Sequence, residues 1–582
     1  MILVPESRIT EFTERGWWGT RTLWDLFVAN LQAQPEAEAV VDAPNRADFA
    51  HGTPRRLTWA QLGSEVDRLC ALLTEQGIAR DEVLALQMPN CVEQFMVYLA
   101  CARLGIVVTP VPVQYREHEM AHILDHAQAV AAATFTRIGT AAAGHAAAAM
   151  YVELQRTHPG LRCVIAFGDD VPAGCVDAGA ATELTDAQRQ ALDTRTQLAN
   201  VNANDVFTIC WTSGTEAQPK GVPRSHNEWL VIVPSIVEAA EIRPGARLLN
   251  PFPLVNMAGI STAFASWLVL GGTVVQHHPF ALPVFLAQLR DERIDYTVAP
   301  PALLNVLLQN EAMLAGIDFK RLSRIGSGSA PLSDWMVRGF AEKHGVQIVN
   351  YFGSNEGAAL AGTARDIPDP ALRAQFFPRA GVDGFEWSVS TTKKIRTRLV
   401  DLETGAEITE AGRPGELRFR GPTIFSGYYR SPDMNARAFD ADGYYRSGDL
   451  FEIAGDALQY YRYVGRSKDL VIRGGVNISS EEIENLLQGC PGVREAAVVG
   501  VPDAVLGEKL CACVVAAEGV VPTLESVVRY LRDERRIAAF KLPEYLMLIP
   551  ALPRNPVGKI LKRELRVQAR SLAPSPSGRG RG

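Results

Sequence analysis

The sequence predicts a layered α/β protein. Short apolar runs of strand length alternate with segments of helical apolar spacing, and the glycine-rich turns fall where a strand-like run ends. The 582-residue chain is 47% hydrophobic and 21% charged, the balance of a folded globular protein with room for more than one domain.

In chain order, Leu23 to Leu31 and Trp59 to Gln76 have helical spacing, and Val83 to Gln87 reads as a strand before a Pro89-Asn90 break. Cys91 to Gly105 reads as a helix and Val107 to Val113 as a strand. The alanine-rich stretch from Ala127 to Ala149 is assigned to helix and packing. Val206 to Trp211 is a strand. Asn250 to Ile260 is an apolar segment broken by two prolines, followed by a helix-like Ser261 to Leu270 and a strand at Thr273 to Gln276. Ile294 to Ala299 and Pro301 to Gln309 form a strand–helix pair, and Val346 to Phe352 is a further strand. Beyond Arg466, helices at Glu481 to Leu487 and Leu524 to Arg532 mix with strands at Ala496 to Val501, Lys509 to Ala516 and Tyr545 to Ile549.

A formal charge of −7 offers no basic face for nucleic acid or anionic lipid, so nucleic acid is not expected as a partner. The nine cysteines are scattered and mostly inside apolar segments, as expected of buried thiols in a reducing compartment. Glu6, Glu11 and Glu14 stand where a signal peptide would be basic and then apolar, and no apolar run reaches the length of a membrane span. The expected location is the cytoplasm.

Three turns carry candidate chemistry. The first is Thr212, Ser213, Gly214, Thr215, Glu216, Ala217, Gln218, Pro219, Lys220 and Gly221, directly after a strand. Its glycines admit close approach of an oxyanion, its hydroxyls and N–H groups donate to phosphate oxygens, and Lys220 adds a point charge. It lacks the spacing of a P-loop, and an ordinary polar turn would use the same residues. The second is Arg324 to Leu332 and the third Gly353 to Gly357. Ligands bind at strand ends in open α/β sheets, so these turns are candidates to converge on one nucleotide. A separate motif, His118-Glu119-Met120-Ala121-His122 with His126 one turn on, spells a helical zinc signature and suggests a zinc hydrolase. An exposed amphipathic helix accounts for the same letters.

Taken together, Thr212 to Gly221, Gly326 to Leu332, Phe352 to Glu356, Tyr445 to Asp449, Gly465 to Asp469 and Asn555 to Lys559 resemble the ordered motif series of the adenylate-forming superfamily. That superfamily holds acyl-CoA synthetases, beetle luciferases and the adenylation domains of nonribosomal peptide synthetases; the match runs from about Trp24 to about Leu565, and a stand-alone acyl-CoA synthetase is the most similar type. The resemblance implies a large multi-subdomain N-terminal domain (1–466), a smaller mobile α+β C-terminal domain (467–570) turning about Lys468, and, from composition, a disordered tail (571–582). It implies ATP, Mg²⁺ and CoA as cofactors and a small carboxylic acid as substrate. Lys559 is similar to the catalytic lysine that bridges carboxylate and α-phosphate. Glu356 corresponds to the Mg²⁺-side carboxylate, and Thr215 with Ser213 to the holders of the pyrophosphate end. Asp449 and Arg466 correspond to the ribose pair, and Gly328, Ser329, Ala330 and Pro331 to the adenine-side loop. Tyr351 with Phe352 is expected to stack on the base beside Gly353 and Asn355.

Arg473, Gly474, Gly475 and Val476 correspond to the channel for the CoA arm, which would equally admit a carrier-protein arm. Asn256, Met257, Ala258 and Gly259 fall at the acyl pocket. Neither that segment nor Trp229 to Ile236 holds a carboxylate for an α-ammonium, which favours a medium-chain, alicyclic or aromatic acid. The chain departs from the family pattern at Glu216 and Ala217, where Thr-Gly is usual, at Asn355 for threonine, at Phe352 for tyrosine, and at Asn256 for histidine.

Overall fold

Helix starts follow local capping rules. Thr58 Oγ1 accepts from Gln61 N at 3.2 Å while Gln61 Oε1 accepts from Thr58 N at 3.0 Å, a reciprocal cap that opens the helix Trp59–Glu75. Its Trp59, Leu62, Val66, Leu69 and Leu73 are buried at three- and four-residue spacing. The helix Val92–Leu104 is buried on every side and stops at Gly105, whose φ of +70° suits a left-handed C-terminal cap. Trp59 and Trp267 stack at 4.7 Å with planes 7° apart, worth roughly 1 kcal/mol beyond burial.

These elements belong to a computed structural model that describes every residue except 141, 181–182, 213–218, 467–468, 474–475, 504–505, 536, 538, 556–557 and 573–582. Ser213, Gly214, Thr215, Lys468, Gly474 and Gly475 therefore lie outside the described residues, as does the tail beyond Leu572. The chain is mixed α/β and packs as two units. The larger comprises Met1–Ala330, Asp334–Thr397 and Phe419–Tyr445; the smaller comprises Pro331–Ser333, Arg398–Arg418 and the chain from Arg446 on.

Two sheets build the larger unit. One has eight strands in the order Ala359–Gly362, Gln347–Gly353, Arg324–Gly328, Tyr296–Val298, Arg247–Asn250, Thr273–Gln276, Glu38–Val41 and Arg56–Thr58. The other has seven, in the order Val176–Asp177, Cys163–Phe167, Ala129–Phe135, Val83–Gln87, Val107–Pro110, Val206–Thr212 and Lys220–Ser225. Most neighbours are parallel, and the last pair is an antiparallel hairpin.

The alanine-rich stretch corrects the helical reading. Ala129–Phe135 is a strand, parallel to Val83–Gln87 and to Cys163–Phe167, and a helix starts only at Ala147. Ala131, Ala133 and Phe135 belong to one apolar cluster and Ala129 and Ala132 to another, so the strand is covered on both faces. Alanine's helix preference of a few tenths of a kcal/mol per residue yields to that packing. The Ser261 to Leu270 segment also differs: Ile260–Ala265 is wound as a π-helix, and the α-helix begins at Ser266.

In the smaller unit, strands run in the order Val476–Ile478, Val471–Arg473, Gly507–Ala516 and Val493–Asp503, with Tyr545–Leu548 parallel to Gly507–Ala516. Alternation along the long strands feeds two cores. Val498, Leu510, Ala512 and Val514 meet Ile483, Leu487, Val527 and Leu531, while Val499, Val501, Cys511 and Cys513 meet Leu565 and Ala569. All nine cysteines are free thiols, and eight are buried. Among the described residues no helix is long and apolar enough to cross a membrane.

Candidate active site

The first turn leaves the sheet through Thr212 and returns through Lys220, which pair across the hairpin. Gly221 is closely packed there: a Cβ would sit 3.0 Å from Ile209 and 3.4 Å from Tyr429 Cβ. Tyr429 N accordingly donates to Gly221 O at 2.8 Å, which brings the segment after Ile424 against the hairpin. Lys220 Nζ lies 5.3 Å from the ring centre of Tyr428, and Tyr428 Oη donates to Glu356 Oε1 at 2.9 Å. One aromatic side chain thus touches both the lysine flank of the loop and the buried carboxylate. Glu356 Oε2 takes no hydrogen bond among the described residues, which leaves a carboxylate oxygen of the kind that would hold a hard cation such as Mg²⁺.

The third turn is fastened by Asn355. Its Oδ1 accepts from Met257 N at 2.7 Å, and its Nδ2 donates to Trp211 O at 3.3 Å. The Asn side chain therefore ties the Asn256–Gly259 segment to the strand end that enters the first turn. Arg224, fully buried, donates to the Asn355 carbonyl at 3.1 Å, to Glu228 O at 2.6 Å and to Thr423 O at 3.1 Å. Burial pushes its guanidinium below the ordinary arginine value, while the nearby carboxylates of Glu228 and Glu356 oppose that shift. Gly357 follows with φ +97°, and a Cβ there would run into the Thr423 carbonyl.

In the second turn, Gly328 pairs with Tyr351 across parallel strands, and a Cβ on it would strike the Tyr351 carbonyl. Ser329 has φ +67° and, like Ala330, is exposed; Pro331 falls in the smaller unit. Tyr351 and Phe352 are successive residues of the strand Gln347–Gly353, so their side chains leave it on opposite faces. Tyr351 Oη takes a hydrogen bond from Tyr296 Oη at 3.2 Å and lies 3.5 Å from Ile236 O, with its phenol pushed up by burial. Phe352 lies parallel to Phe419 at 6.2 Å, with planes 14° apart.

Asn256 caps the short helix Met257–Gly259 through Oδ1, which accepts from Gly259 N at 3.2 Å. Gly259 abuts Pro253, whose carbonyl a Cβ would overlap. Ala258 is half-buried, and its carbonyl accepts from Thr262 Oγ1.

In the smaller unit, Asp449 pairs in register with Arg466, and Arg466 Nε donates to Asp449 Oδ1 at 3.0 Å. Asp449 is buried, and its charge raises the Arg466 guanidinium further above its ordinary value. Glu481 stands 3.5 Å from Tyr463 Oη; burial, with Asp449, Glu484 and Asp469 adding to it, pushes its carboxyl up to about 7 against the opposing charge of Lys562. Lys559 is exposed in a turn closed by Asn555 N to Lys559 O and by Lys559 N to Asn555 Oδ1, both 2.8 Å, with Gly558 at φ +84°.

The zinc letters have other work. His118 is exposed, and Glu119 Oε2 accepts from Arg116 N at 3.0 Å, closing the start of the helix Glu117–Ala127. His122 and His126 meet backbone carbonyls, and no group of three metal-ligating side chains is found among the described residues. Sequence reasoning missed Arg224, Tyr428 and the double role of Asn355. Asn355 alone left a signal, as a departure from the family's threonine.

Residues 27–429 match the AMP-binding enzyme family, and residues 482–559 match the AMP-binding enzyme C-terminal domain. The chain belongs to this family of adenylate-forming, acyl-CoA-synthetase-like enzymes. The 2-hydroxy-7-methoxy-5-methyl-1-naphthoate–CoA ligase of Streptomyces carzinostaticus is 31% identical over 571 residues, covering 97% of this chain and 96% of its own. The medium-chain fatty-acid–CoA ligase of Escherichia coli K12 is 29% identical over 567 residues, covering 97% of this chain and 93% of its own. ATP-bound MatB from Rhodopseudomonas palustris has the same fold, with a TM-score of 0.76 at 24% identity, covering 95% of this chain and 100% of that one.

Proposed function

We propose that this enzyme is an AMP-forming acid:CoA ligase acting on a medium-chain, alicyclic or aromatic carboxylic acid. The observation that carries the reading is Asn355, which links Met257 of the acid segment to Trp211 at the mouth of the phosphate loop and precedes Glu356. Two reactants must be held together for the first step, and a shared fastening of their sites serves that need. In that step a carboxylate oxygen attacks the α-phosphorus of ATP and the bond to pyrophosphate breaks, giving an acyl-adenylate. A thiolate then attacks the acyl carbon, and AMP leaves as the thioester forms.

Thr212, Ser213, Gly214, Thr215 and Lys220 bind the leaving pyrophosphate in this scheme, and Glu356 would hold Mg²⁺, whose charge would then be available to the phosphate oxygens. Asp449 and Arg466 bind the ribose, Gly328, Ser329, Ala330 and Pro331 line the adenine, and Gly353 lets the nucleotide approach. Lys559 bridges carboxylate and α-phosphate. In this scheme the mobile C-terminal domain begins at residue 467, inside the smaller packed unit, with Lys468 as hinge, and Gly474 and Gly475 line the thiol channel. Free, mostly buried thiols suit a cytoplasmic location.

The test is acid-dependent pyrophosphate release across a panel of carboxylic acids, with and without CoA. Release with aryl, alicyclic or medium-chain acids and a CoA thioester product supports the reading. Pyrophosphate exchange with amino acids alone overturns it, and adenylate formation without turnover of CoA moves the acceptor to a carrier-protein thiol.

A further inference from the structure

The helix Glu117–Ala127 presents His122 and His126, one turn apart, to the phosphate-loop hairpin. His122 Nε2 is 3.3 Å from the carbonyl of Pro219, the residue that closes the loop, and His126 Nε2 is 2.8 Å from the carbonyl of Tyr429. A carbonyl oxygen only accepts, so each Nε2 is the donor. Both rings also pack edge-on against Trp211, on the entry side of the loop, at 6.1 and 5.7 Å between ring centres. Trp211 is itself pinned by its Nε1–H to Thr109 Oγ1 at 2.6 Å.

Entry and exit of the loop are thus held by the same two imidazoles. Tyr429 extends the chain of contacts, since its neighbour Tyr428 donates to Glu356. We propose that His122 and His126 are positioning residues: His122 fixes the exit of the loop for the pyrophosphate end of ATP, and His126 fixes the Tyr428–Tyr429 segment that orients Glu356 toward the metal. This rests on the ligase reading above. A packing role alone would be filled by any flat apolar ring, so phenylalanine separates the two explanations. Glutamine, whose Nε2 extends about as far as that of histidine, restores the donor.

The test uses the full chain with H122F, H122Q, H126F and H126Q, each checked by thermal melting. MgATP binding is measured by calorimetry, and KM for MgATP, Mg²⁺ and the acid by pyrophosphate release. H122F should weaken MgATP binding and raise its KM three- to tenfold, and H126F should raise the Mg²⁺ requirement by a similar factor. KM for the acid and thioester formation from a preformed acyl-adenylate should stay within twofold, and both glutamine variants should recover at least half of the loss. Should a phenylalanine variant melt early, its glutamine partner decides, because a recovered fold with unrecovered MgATP binding contradicts the role. Equal rises in the KM of acid and ATP, or phenylalanine variants that behave as wild type, overturn the inference. Wild-type protein that binds MgATP while its variants bind equally well overturns this inference alone; wild-type protein that binds none overturns the ligase reading with it.

Discussion

Asn355→Ala cuts what the ligase reading makes the fastening between the acid segment and the phosphate loop. It removes the 2.7 Å bond from Met257 N and the 3.3 Å bond to Trp211 O. Two neutral hydrogen bonds contribute about 1 kcal/mol each, and leaving the Met257 amide unpaired in a mostly buried segment costs roughly 1 kcal/mol more, so the larger unit should lose about 2–3 kcal/mol. If half of that is felt when carboxylate and α-phosphate are brought together, kcat/KM for adenylation falls about tenfold. All nine tryptophans, residues 17, 18, 24, 59, 211, 229, 267, 335 and 387, lie in the larger unit, so urea unfolding followed by tryptophan fluorescence reports that unit. Asn355→Thr is too short to span both contacts and should fall between alanine and wild type. Loss of stability with adenylation per folded molecule unchanged would refute the argument, because the bond would then hold the fold without positioning the reactants.

Glu356→Gln keeps an acceptor for Tyr428 but loses the charge; pyrophosphate release should fall on the order of a hundredfold, with a raised Mg²⁺ requirement and an unchanged melting curve. Lys559→Ala should reduce adenylation on the order of a hundredfold while a preformed acyl-adenylate still passes to CoA, as two separate assays would record. Gly353→Ala should fold normally, since the nearest atom to an added Cβ is 3.6 Å away, so a drop in ATP affinity by titration would mark close nucleotide approach. Glu481 binds its proton more tightly folded than unfolded, its carboxyl being raised to about 7, so the folded state holds the extra proton between about 4.5 and about 7. Stability should therefore decline as pH rises through that window, and Glu481→Gln should flatten the slope in chemical denaturation at stepped pH.

The elements legible in the sequence are those whose periodicity and end signals agree. Val83–Gln87, Thr273–Gln276 and Pro301–Gln309 stand where apolar runs and breakers place them. Ala129–Phe135 was not legible, because alanine specifies a strand only when sheets and helices from elsewhere in the chain enclose it. The π-turn at Ile260–Ala265 left no pattern of its own, since its wider winding is a property of the backbone; within the same stretch Ser266 Oγ donates to Ser261 O at 2.6 Å. Motif order pointed to the turns, and the fold brings Trp211, Asn355 and Met257 into direct contact. Arg224 was invisible for a different reason: two of the three carbonyls it serves, those of Asn355 and Thr423, are distant in sequence, and nothing beside it announces them.

Glycine is where motif reading and structure part most clearly. A glycine in a ligand turn is read as space for the ligand, yet the added-atom geometry divides these glycines by what actually occupies the space. Gly259 abuts the Pro253 backbone, Gly328 the Tyr351 carbonyl and Gly357 the Thr423 carbonyl, so each is required by the chain's own packing whether or not a ligand binds. Enlarging Gly259 would therefore disturb the Met257–Gly259 helix before it shortened any acyl pocket. Choice among acids must then rest on side chains rather than on the space these glycines leave.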